Sequence, residues 1–112
     1  MIKITVNKGE EIIEKVTAYV KRNNITAGSL SLIGAVNACC IGTMPKENAM
    51  KDILSEYYEP LELSGTGEIL EGKPHIHVVL AREDKSALAG HLHWGKVISW
   101  FVHVYLIPLT NK

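Results

Sequence analysis

Four of the five histidines in this 112-residue chain fall within nineteen residues, as two His-x-His pairs, His75/His77 and His91/His93. A neutral imidazole nitrogen is the commonest protein ligand for divalent transition metals, and its proton exchanges near neutral pH. In a strand, residues two apart project from the same face. His75 and His77 therefore stand side by side, while Ile76, Val78 and Leu80 face a core. Two such imidazoles and a third from a neighbouring segment suit a tetrahedral zinc ion with one open position. His91 or His93 can supply the third nitrogen, because residues Asp84 to Gly90 are long enough to bring that segment back beside the first. A bare His-x-His equally suits hydrogen-bonded surface histidines. Two pairs in so short a span, in a chain with five histidines, raise the case for a divalent metal. His103 lies between Val102 and Val104 and reads as a core or interface residue.

Other groups with chemical potential have simpler readings. Cys39 and Cys40 are adjacent, an arrangement that rarely forms a disulfide, and they lack Cys-x-x-Cys spacing. They read as packed, reduced thiols in a reducing, cytoplasmic compartment. Gly65-x-Gly67 lacks the third glycine and following helix of a dinucleotide loop, so it reads as a turn. Tyr57, Tyr58, Trp94 and Trp100 are able to stack on bases, but core or interface packing is the default for aromatics.

The elements that must position the histidines follow from periodicity. Ile2 to Val6 alternates strictly and predicts a half-buried strand. After Lys8-Gly9, the residues Ile12, Ile13, Val16, Tyr19 and Val20 fall on one helical face. Glu10 and Glu11 sit at the positive end of this long helix and Lys21 and Arg22 at its negative end, with Asn23-Asn24 as a stop. Gly28 to Met44 predicts two strands, or one bent strand, broken near Gly34 to Asn37. A polar loop spans Pro45 to Asp52. Ile53 to Leu63 reads as a strand broken by Pro60, which places it at an edge or a bulge. Ser64 to Gly67 reads as a turn, Glu68 to Leu70 as a short strand, and Glu71 to Pro74 as another turn. His75 to Ala81 is a clear strand, Arg82 to Lys85 turns, Ala89 to Trp94 is a short strand or loop, and Val97 to Ile107 is the last long strand. One long helix, a short second helix or turn, and seven or eight strands make an α+β domain with a mainly antiparallel sheet. Two-sided burial of the last strand points to a sandwich- or barrel-like closure.

Length fits a single domain over residues 1–112. Apolar residues make up 46% of the chain, enough for one core with a surplus that suits a subunit interface. Twelve basic residues balance twelve acidic ones, and only Arg22 and Arg82 are arginines. Duplex DNA is bound largely through phosphates neutralised by Lys and Arg, so an isolated monomer lacks the usual excess. The stretch from Asp52 to Glu71 carries six acids and no base, which repels DNA. No signal-peptide core is present at the start, and the longest apolar run, Val97 to Ile107, is too short to span a bilayer.

Several short segments occur together in order: Gly9-Glu10-Glu11-Ile12, Ala27-Gly28-Ser29-Leu30 through Ile33-Gly34-Ala35-Val36, Pro60-Leu61-Glu62-Leu63-Ser64-Gly65-Thr66-Gly67, Pro74-His75-Ile76-His77, then Gly90-His91-Leu92 and Gly95-Lys96-Val97. With these, the chain resembles the PPC (plant and prokaryote conserved) domain over nearly its whole length. The resemblance implies a homotrimer built on an antiparallel sheet with flanking helices, in a family described as candidate DNA-binding proteins. It also implies a three-histidine metal site, carried onto His75, His77 and His91, with no counterpart for His93. Ala89 stands where the family often has a second glycine, and the Arg-Gly-Arg-Pro hook of the plant proteins is missing. The fold implied is similar to that of acetolactate decarboxylase, a zinc enzyme with three histidine ligands.

Two readings follow. The first is a non-catalytic, DNA-associated or regulatory module with a divalent metal, zinc by donor type. The second is a zinc enzyme or small-ligand sensor for an oxo- or hydroxy-acid, assisted by Arg82 or a nearby Glu. Charge argues against the first and the lack of a clearly placed acid or base against the second; the family resemblance favours the non-catalytic module. Glu68 or Glu71 is expected to orient a ligating imidazole through its second nitrogen. The metal reading requires the three imidazoles on one face and within about 8 Å, because Zn–N bonds are about 2 Å long. The last strand, to Leu109, and the Tyr57-Tyr58 edge are expected at the subunit interface.

Overall fold

The protein is described over residues 1–110 by a computed structural model. Its elements are β1 (Ile2–Val6), α1 (Ile12–Arg22), β2 (Ala27–Val36), β3 (Ala38–Thr43), β4 (Ile53–Tyr57), β5 (Leu61–Leu70), β6 (Lys73–Ala81), β7 (Ala87–Lys96) and β8 (Val102–Pro108). Among the described residues there is one helix, of 11 residues, so the long helix shortens to three turns, and of the expected short second helix or turn only turns are present.

The helix forms where its sequence signals place it. Glu11 is the N-cap, with extended backbone, and its carboxylate accepts from Ile13 N and Glu14 N. The same carboxylate accepts from Gly95 N at 2.8 Å, which ties the helix start to β7. Ile12, Val16 and Val20 are fully buried, as their three- and four-residue spacing requires. Asn24, at φ 54°, ends the element in the left-handed region that asparagine tolerates.

The eight strands form one sheet in the order β1-β8-β2-β5-β6-β7-β3-β4, and every neighbouring pair is antiparallel. Only Asn37 separates β2 from β3, yet the two strands lie four positions apart. On a flat sheet that separation is about 19 Å. Likewise α1 touches β1 and β7, five spacings or about 24 Å apart if flat. The sheet therefore curls around the helix, and Ile12, Val16 and Val20 join Val36, Leu61, Ile76, Leu80, Leu92 and Leu106 in one core. The curl does not close. β1 and β4 remain edges, so the expected barrel or sandwich is instead a single open sheet.

Three local expectations change. Ser64 to Gly67 is the middle of β5, which runs unbroken from Leu61 to Leu70. The glycine here serves close strand approach: a Cβ at Gly67 would run into the His75 carbonyl oxygen across the ladder. Ala89 to Trp94 is the centre of a ten-residue strand. The expected last strand splits, because residues 97–101 form a loop held by Asn37, whose Oδ1 accepts from Ile98 N and Ser99 N. β8 is buried on one side only: Val102, Val104 and Leu106 face the core, while His103 and Tyr105 are half-buried and Ile107 is exposed. His103 lies on the outer face, stacked on Phe101 at 4.3 Å.

Candidate metal centre

β6 alternates as its sequence predicts: Ile76, Val78 and Leu80 are buried, and His75 and His77 are exposed on the opposite face. The β6–β7 hairpin then decides which histidine faces them. Its register sets His91 directly opposite His77. The ring centroids lie 5.0 Å apart for His75–His77, 4.9 Å for His75–His91 and 5.9 Å for His77–His91. One nitrogen from each ring lies within 4.8 Å of the others. Two nitrogens on a tetrahedral zinc ion are about 3.4 Å apart, so small side-chain rotations would bring all three to one ion. The three rings line a cleft of about 870 Å3, with Thr66, Asp52 and Met44 also on its walls.

His91 is half-buried, and burial pushes its pKa below the usual 6.5. The neighbouring His93 and His75 lower it further, against a smaller upward pull from Asp52. The net effect favours the neutral ring, which is the form that binds a cation.

The other expected residues divide. Glu68 pairs with His75 across β5 and β6, its Oε2 3.8 Å from His75 Nδ1, near enough to orient that ring after a small shift. Glu71 sits in the β5–β6 turn at φ 51° and belongs to neither histidine group. Arg82 is engaged elsewhere, in a two-pronged pair with Glu59 at 3.0 and 3.1 Å and 6.0 Å above the Tyr57 ring. His93 does not join His75 and His77. It stacks on His91 at 4.8 Å and points its Nε2 at Asp52 Oδ2, 3.2 Å away. Asp52 is the residue that sequence reasoning missed. It ends the polar loop before β4, and only the pairing of β4 with β3, and of β3 with β7, carries it to the histidines. Nothing in its spacing signals this.

A curled antiparallel sheet with one helix in its hollow and a histidine triad on its outer face defines the class. The chain belongs to the Plants and Prokaryotes Conserved (PCC) domain family, which matches residues 1–110. It is 30% identical to a metal-containing protein from Archaeoglobus fulgidus, with a TM-score of 0.79 over 99% of this chain and 80% of that one. It is 23% identical to a candidate DNA-binding protein from Bacteroides thetaiotaomicron, with a TM-score of 0.85 over 98% of this chain and 79% of that one. Acetolactate decarboxylase from Bacillus subtilis shares the fold alone, at 11% identity and a TM-score of 0.64, over 99% of this chain and 54% of that one. No curated protein matches the chain. No helix is long and apolar enough to cross a membrane, among the described residues.

Proposed function

We propose that this chain is a regulatory module that holds a divalent cation on His75, His77 and His91 and works as a homotrimer. The convergence of three imidazoles from two adjacent strands at one cleft carries the reading. Three neutral nitrogens suit zinc, and a relative described as metal-containing supports a cation on this fold. When bound, the cation supplies a Lewis-acid contact for an oxygen or nitrogen atom of a small ligand. His75 and His77 bind from one backbone segment, Glu68 steadies His75, and His91 anchors the set from the half-buried side.

The trimer is supported by the outer face of the sheet, where Ile33, Phe101 and Ile107 are exposed around half-buried His103 and Tyr105. Exposed apolar side chains grouped on one face suit a subunit interface. A DNA role rests on the relative's name, and the charge balance of this chain opposes it. The test is metal content of protein purified without a histidine tag, beside fluorescence anisotropy with duplex DNA at low and physiological salt. The reading expects cation bound in wild type and the triad's cation lost from His77→Ala. Absence of DNA binding even at low salt removes the DNA role and leaves a metal-centred small-ligand sensor.

A further inference from the structure

His91 belongs to a second donor group. One ligand atom each from Asp52, His91 and His93 lie within 4.8 Å of one another. Three independent features single this group out. First, His93 Nε2 is buried without a hydrogen-bond partner among the described residues. Asp52 Oδ2 is near enough at 3.2 Å, but the two are not aligned as donor and acceptor. Buried polar atoms are rarely left in that state without a reason such as an ion. Second, the β3–β7 ladder slips at this point: Cys40 faces Trp94 and Ile41 faces Leu92, so His93 is the extra residue of a β-bulge. Bulges re-aim a side chain, and this one aims His93 at Asp52. Third, Gly42 leaves room for both. A Cβ there would stand 2.9 Å from His93 Nε2 and 3.2 Å from Asp52 Cγ.

We infer that Asp52 and His93 hold a second divalent cation beside the histidine triad, with His91 between the two sets. When the triad is filled, His91 serves the first cation, and the second takes the Asp52 carboxylate and His93 Nε2 and completes its shell from the cleft. When the triad is disabled, His91 is free to join Asp52 and His93. With His91 free the donors are two nitrogens and a carboxylate, and with His91 on the first cation they are one nitrogen and a carboxylate, mixed sets that suit Zn²⁺, Co²⁺ or Ni²⁺. Asp52 also contributes the negative charge that three neutral imidazoles lack, which offsets part of the repulsion between two neighbouring cations. This site goes beyond the proposed triad and does not depend on its being filled.

Equilibrium dialysis against Zn²⁺ and Co²⁺, with metal counted by mass spectrometry, tests it on the full chain. The expected result is two cations per chain in wild type, one in Asp52→Asn, one in His93→Gln, one in His77→Ala, and none in the Asp52→Asn/His77→Ala double variant. Asp52 is at the surface, so its isosteric change leaves folding intact, and circular dichroism verifies this for each variant. One cation in wild type that is lost in His77→Ala and kept in Asp52→Asn overturns the second site and leaves the triad. One cation that is kept in His77→Ala and lost in Asp52→Asn overturns the triad and leaves the second site. Two cations that both survive Asp52→Asn and His93→Gln overturn the assignment to these residues.

Discussion

His91 is where protonation and stability meet, within the proposed metal site. Burial and the neighbouring rings lower its pKa in the fold. As pH falls, the unfolded chain therefore takes up this proton first, near the ordinary value of about 6.5. The sign follows: His91 leaves stability intact above that value and erodes it as pH drops from about 6.5 to the lower folded value. Thermal melts of metal-free protein should show a lower Tm at pH 5.5 than at pH 7.5, and the difference should shrink in His91→Asn. Added Zn²⁺ should steepen the dependence, because protons and cation compete for the same nitrogens. With Glu68 as the proposed orienter of His75, Glu68→Gln should weaken Zn²⁺ by about tenfold in calorimetric titration while leaving the stoichiometry unchanged.

The elements around these residues are joined by few contacts of high consequence. Glu11 caps α1 and also accepts from Gly95 N, so one carboxylate serves the helix end and the strand that carries His91 and His93. Glu11→Ala should cost about 1–2 kcal/mol in urea unfolding, at the upper end for a lost cap, with the fold retained. β5 and β6 lie close because Gly67 has no side chain to strike the His75 carbonyl. Gly67→Val should force the strands apart at His75 and lower both the Tm and the affinity for Zn²⁺.

For the whole molecule, the apolar surface is divided between an enclosed core and an uncovered outer face. Val102, Val104 and Leu106 complete the first, while Phe101, Ile107 and Ile33 remain on the second. Light scattering at micromolar concentration should give three times the 12.4 kDa chain mass. Phe101→Asp, which puts a charge on that face without touching the core, should shift the mass towards one chain. A wild-type monomer at that concentration would sink the trimer.

Much of this was legible in the chain because it depends on neighbours along the sequence. Period two in His75 to Ala81 set two imidazoles on the face opposite the core, and period three to four set Ile12, Val16 and Val20 inward. The short β6–β7 connection was enough to expect a third histidine nearby; the family resemblance chose His91 over His93, and the register of the ladder sets His91 opposite His77. What the sequence left open depends on distant partners. Gly65 and Gly67 have the composition of a turn, but they answer a close approach by β6 that no local pattern reports. The curl of the sheet follows from strands four positions apart meeting across one residue at Asn37. Asp52 lies thirty-nine positions before His91 and reaches the histidines only through two strand pairings and a bulge. Tertiary structure alone decided that meeting, because long-range pairing is set by packing of the whole sheet and leaves no periodic trace in the residues that it joins.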